Sequence, residues 1–272
     1  MSRAAEINRD EWGRRRLLTV LAGGVAAALA FLTGLGLAVY YAVQPSEQDA
    51  VTPLDPAAPV APVAHGQAER DRLAAAPMLA VDPEDAVSGT PATSPGPNVT
   101  VPPSTGIGPA ELPAGFPQTP PGAVGQLGMI VTAVLQGMSI DHATAVHKEW
   151  AMPGAPPAPQ WRMTKNVQSF LASAGQTGQA KATSVSVTAT PVAAQVKGTD
   201  GDSWVLACVL VDVRAVVARE ARIAYGHCER MQWHDDRWMI APGTEPAPAP
   251  STWPGTDLAL SAGWRTWVQE GE

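Results

Sequence analysis

The side chains able to do chemistry in this chain are few. His227 and Cys228 are adjacent, and His234, Asp235 and Asp236 follow shortly after, the densest run of metal-ligating types. Successive strand residues point to opposite faces, so His227 and Cys228 diverge, whereas zinc needs converging ligands. His142 and His147 are five positions apart, a spacing that does not put both on one helix face. Asp212 and Tyr225 are the acid/base candidates. In a hairpin that pairs about residue 218, one has even and the other odd parity, which puts them on opposite sides of a sheet. Asp212 is then expected to pair with Arg214, Arg222 or a turn group. The chain has no GxSxG, Walker loop, HExxH or CxxC. No catalytic, cofactor-binding or metal-binding residue is assigned, no cofactor is implied, and the pattern points away from an enzyme.

The cysteines are a separate case. Pairing about residue 218 sets Cys208 opposite Cys228 on one face, where a cross-strand disulfide fits. A slip of one residue would separate them. Two readings stand at this level, a bond or two buried thiols.

The elements that must position these groups begin with Leu17–Val43, LLTVLAGGVAAALAFLTGLGLAVYYAV, which holds no charged residue. Its length suffices to cross a hydrocarbon core of about 30 Å with some tilt. Arg14, Arg15 and Arg16 precede it and Glu47 and Asp49 follow it, so the positive-inside rule places residues 1–16 in the cytoplasm and the rest outside. A cleaved signal peptide is the rival, but its apolar core should be roughly 7–15 residues. The expectation is a single-pass cell-membrane protein with an extracytoplasmic C-terminal domain. Ala22, Ala26, Ala30, Gly34 and Ala38 form a row of small residues, a surface on which two such helices could associate.

Residues 44–118 hold fifteen prolines, nine acidic and two basic side chains. This composition reads as a disordered Pro/Ala-rich linker, with 64–80 as a transient helix or one that folds on a partner. The linker carries the whole net charge of −7, because residues 1–16 and 119–272 cancel. The remainder is thus near neutral, with no basic footprint for direct nucleic-acid binding.

Thr119-Pro120-Pro121 reads as a helix start, and Val124, Leu127, Val131, Val134, Leu135 and Met138 recur at helical spacing. Ser139 and Asp141 cap a second helix to Trp150, and a third covers Trp161 to Ala174. A period-two pattern follows at Ser184–Thr190, Ser203–Val217 is rich in Val and Leu and reads as a central strand, Glu220–His234 is another with apolar residues on one parity, and Arg237–Ala241 is a short last strand. The fold class expected is α+β: one transmembrane helix, a linker, then three helices on a curved antiparallel sheet of about four strands over residues 119–241. Residues 242–272 read as a Pro-rich connector and a C-terminal helix with Trp253, Trp264 and Trp267.

This layout resembles the bitopic assembly factors of type IV secretion and conjugation systems, in their actinobacterial branch. Gly128–Met138, Trp161–Ala174, Ser203–Val217, Glu220–His234 and the GWRTW ending at Gly263–Trp267 carry the resemblance, which covers residues 119–241 and the anchor. It implies a nuclear-transport-factor-2-like, or cystatin-like, cone outside the membrane. It further implies a non-enzymatic assembly or scaffold module that meets other envelope or secretion-complex proteins, the membrane and copies of itself. Membrane-anchored Mce-associated proteins share the layout and imply instead a tethered domain that binds a small apolar ligand or lipid.

Overall fold

The computed structural model describes residues 65–271. Its axis is the apolar run WVLACVLV, Trp204–Val211, every residue of which is buried. A strand hidden on one face alternates, whereas one hidden on both reads as a continuous apolar run. This run opens β5 (Trp204–Val216), so the sheet needs cover on both sides.

β5 lies between β4 (Ser186–Thr199) and β6 (Glu220–His234), antiparallel to both. The β5–β6 hairpin pairs about residue 218, which sets Asp212 opposite Ala224 and Val211 opposite Tyr225. β7 (Arg237–Ile240) turns back onto the end of β6. On the other side β8 (Arg265–Gln269) pairs with Ala193 and Ala194 of β4. β1 (Asn98–Val101) then joins β8 in parallel, which makes the order β1-β8-β4-β5-β6-β7. Gly106–Ile107 (β2) and Pro113–Ala114 (β3) form a separate small pair.

One face is covered by three helices. The helix α1 (Gln67–Ala75) lies on the other face and comes first in the chain. α2 (Pro120–Gly137) starts where Thr119 Oγ1 accepts the Gly122 N–H at 3.2 Å, with prolines in the first turn, where a missing N–H costs nothing. Its stripe Val124, Leu127, Val131 and Val134 is fully buried against Val205, Val209, Val211 and Ala194 of the sheet. Ser139 caps α3 (Ile140–Trp150) from its hydroxyl to the His142 N–H. α4 (Arg162–Ser173) adds Met163, Val167 and Leu171 to the same core.

The opposite face carries even-numbered β5 residues. Leu210 and the cysteines pack under Trp264, Ala259 and Ala262, the last two from or next to α5 (Asp257–Ser261). Trp204 and Leu206 pack under Ala74 of α1 and Ala241. Gly128 of α2 lets β8 approach, because a Cβ there would lie 2.8 Å from the Trp267 ring.

Several expectations are corrected. The sheet is not a four-stranded antiparallel meander under three helices: among the described residues it has six strands and is mixed, and five α-helices accompany it. Residues 65–118 are not a linker where described, because they supply α1, β1, β2 and β3. Within the 64–80 segment Gln67–Ala75 is helical and packs against its own chain. Residues 242–272 do not end in a Trp-rich helix, since α5 is five residues long and Trp267 lies in β8. The physical reason is common to all three. These segments have too few apolar side chains to fold alone, but each has enough to cover a sheet face that already exists. Among the described residues no helix is long and apolar enough to cross a membrane. The span at 17–43, its row Ala22, Ala26, Ala30, Gly34 and Ala38, and Arg14, Arg15 and Arg16 lie outside the described residues.

Candidate functional site

β7 pairs with β6 only over Met231–His234, so the stretch Tyr225–Arg230 has no strand on that side. The Pro-rich segment after β7 runs there instead. Ala241 N–H donates to the Arg230 carbonyl at 2.7 Å, and Gly226 N–H donates to Ser251 Oγ at 3.0 Å. Gly226 is needed for this approach, because a Cβ would sit 2.7 Å from the Pro250 carbonyl oxygen. Between this segment, the start of α4 and β6 lies a cavity of about 330 Å³.

Odd-numbered β6 residues point towards α4 and form a continuous hydrogen-bonded chain. Asn166 Nδ2 donates to Tyr225 Oη at 2.5 Å, and Tyr225 Oη lies 3.0 Å from His227 Nδ1. His227 Nε2 lies 3.1 Å from Glu229 Oε1, which also accepts Trp161 Nε1–H at 2.6 Å. Tyr225 Oη also lies 3.7 Å from Met163 Sδ, and His227 links the Tyr225 hydroxyl to the Glu229 carboxylate through its two ring nitrogens. His227 is 1% and Glu229 7% exposed. Burial pushes the Tyr225 phenol well above its usual pKa, so it stays a neutral donor.

His147 of α3 also lines this cavity, 5.1 Å ring to ring from Trp161. Burial holds its pKa below the usual value, against the opposing pull of Glu229 and of a backbone hydrogen bond to Pro156. Its Nε2 is buried and has no partner among the described residues. Arg162 at the rim pairs with Glu245 and donates to the Pro246 carbonyl, which ties the segment over α4.

The residues singled out in the sequence fall in different places. Asp212 lies on the other side of the sheet from Tyr225, in a two-point contact with Arg222 at 2.7 Å for each bond. Arg214 lies 3.7 Å from the same carboxylate. His234 pairs with Asp235 at the exposed β6–β7 turn, away from His227. His142 packs on Gly137, so the two α3 histidines part, as their spacing requires. Cys208 and Cys228 are joined by a disulfide. Among the described residues no three ligating side chains gather to hold a metal. The cavity's polar set, His147, Trp161, His227 and Glu229, was not anticipated as a group. Its one signal in the sequence is the shared parity of Tyr225, His227 and Glu229 on β6.

The arrangement holds a buried carboxylate, bonded by the Trp161 indole and the His227 ring, beside an unpartnered imidazole nitrogen. The chain matches no protein-family model, no curated protein and no solved structure.

Proposed function

We propose that the chain is a non-enzymatic, single-pass membrane protein whose extracytoplasmic domain is an assembly or scaffold module of a conjugation or secretion apparatus. One observation carries the recruiting role. The β5–β6 hairpin ends in an apolar tip, with Val216 41%, Val217 44% and Ile223 45% exposed. These are three part-exposed apolar side chains near one end of the hairpin, Val216 closing β5, Val217 in the turn and Ile223 on β6. The helix-facing side of the sheet supports the same reading, because Trp161, Met163, Met231 and Trp238 fill it. Anchoring rests on the apolar 17–43 stretch and its arginine flank, which fix the domain in the plane and raise its effective concentration towards partners. With residues 65–118 folded, the tether between anchor and domain is shorter than its Pro-rich composition suggests. Self-association through the small-residue row would add avidity, and replacing Ala30 and Gly34 with Leu should weaken it in a membrane two-hybrid reporter.

Crosslinking in native membranes followed by capture of the full-length chain tests this. Recovery of a transfer-apparatus ATPase or another envelope subunit supports it; recovery of neither overturns it. A second reading, a tethered domain for a small apolar ligand or lipid, is favoured by a groove of about 610 Å³ on the outer face, lined by Val192, Leu210, Leu260 and Trp264.

A further inference from the structure

We propose that the cavity between α4, the open side of β6 and residues 241–246 binds a small amphipathic amine, its ammonium group held between Glu229 and His147. The volume, about 330 Å³, is that of a small-molecule pocket.

The charge argument comes first. Glu229 is a buried carboxylate, and both its hydrogen bonds, from the Trp161 indole and the His227 ring, fall on one oxygen. A buried carboxylate oxygen left without a donor is costly. Among the described residues no Lys or Arg reaches it. Arg162 is committed to Glu245 and the Pro246 carbonyl. Arg230 has the opposite parity and is committed to Asp71 and the Pro242 carbonyl. Lys165 stands exposed at the mouth, where solvent screens it. Both bonds to Glu229 fall on Oε1, which leaves Oε2 for a ligand.

The second argument is independent. His147 is 6% exposed, yet its Nε2 has no partner. The neutral ring offers a lone pair there and needs a donor. An ammonium group has several donors and no lone pair, so it satisfies the carboxylate and the imidazole together. A carboxylate ligand would be repelled by both. An alcohol has a single O–H, so it can donate to His147 Nε2 or to Glu229 Oε2 but not to both. Trp161, Pro156, Ile240 and Pro246 supply apolar walls for the rest of the ligand.

The test uses the full-length chain in lipid nanodiscs, titrated at pH 7 with benzylamine and with its neutral counterpart benzyl alcohol. Calorimetry and histidine-ring nitrogen NMR read the outcome. The expected result is one-to-one binding of benzylamine, at least tenfold tighter than benzyl alcohol, with the His147 Nε2 resonance displaced. Glu229→Gln keeps the side-chain volume and should erase the preference, with a thermal melt to show that it folds. Equal binding of the two probes overturns the proposal. So does no saturable binding of benzylamine, or a folded Glu229→Gln chain with the preference intact. If that variant does not fold, the two probes on the unaltered chain still decide.

Discussion

Cys208 on β5 stands directly opposite Cys228 on β6, and the disulfide between them lies on the outer face of the sheet, beneath Trp264. Both residues belong to strands already paired through thirteen register positions, so the bond adds no new topology. Its effect is on the unfolded chain. Closing a loop between residues separated by 20 positions removes entropy worth about 3 kcal/mol. Denaturant unfolding with and without reductant checks this: reduction should lower stability by about that amount while the chain stays folded.

The docking of α1 depends on Asp200. Its carboxylate accepts from Arg70 Nε at 2.6 Å and from the Gly66 N–H at 3.1 Å, and lies 2.9 Å from His65 Nδ1. The Arg70 bond, then the His65 bond, hold its pKa below the usual carboxylate value. A carboxyl whose folded pKa is depressed stabilises above its unfolded pKa, and that stability is lost as pH falls through the folded value. Hydrogen exchange in α1 should therefore be flat near neutrality and accelerate in acid beyond its intrinsic pH dependence. Asp200→Asn should accelerate it at neutral pH, with a local loss of about 1.5–3 kcal/mol for the charged hydrogen bonds.

Trp264 tests whether the C-terminal segment is part of the fold. It is 2% exposed, packs over the cysteines' face, and donates Nε1–H to the Pro250 carbonyl at 3.0 Å. Trp264→Ala should cost about 3–5 kcal/mol in denaturant unfolding. A cost below about 0.5 kcal/mol, the usual range for surface changes, would make the segment a mere connector.

The hairpin tip separates recruitment from stability. Replacing Val216, Val217 and Ile223 with Asp changes exposed positions, so the melting curve should stay within about 0.5 kcal/mol per site. Capture of envelope partners by crosslinking should fall at least tenfold. Undiminished capture would move the recruiting surface elsewhere.

Features set by neighbours along the chain were legible. The Thr119 and Ser139 caps, the apolar stripe of α2 and the 218-centred hairpin depend on contacts within a few residues or on period-two alternation. Parity alone separated Asp212 from Tyr225. The candidate site was much less legible, because Trp161 meets Glu229 across 68 positions. His147 enters from a third element, and no local pattern encodes that convergence.

What the sequence by itself determined is the run of strands from Ser186 to Ile240 and the helices that precede it. Only the tertiary structure decided that Trp204–Val211 is covered on both faces and what supplies the second cover. α1, β1, α5 and β8 come from Pro-rich segments whose own apolar content is too low to announce an ordered element. Each is stabilised by surface that other parts of the chain present, such as the outer face of β5 or the edge of β4. The cavity has the same origin. β7 is too short to cover β6, and the segment after it leaves a space where Glu229 and His147 are buried together. Burial of that kind is a property of the packed molecule, because it depends on which distant groups exclude water.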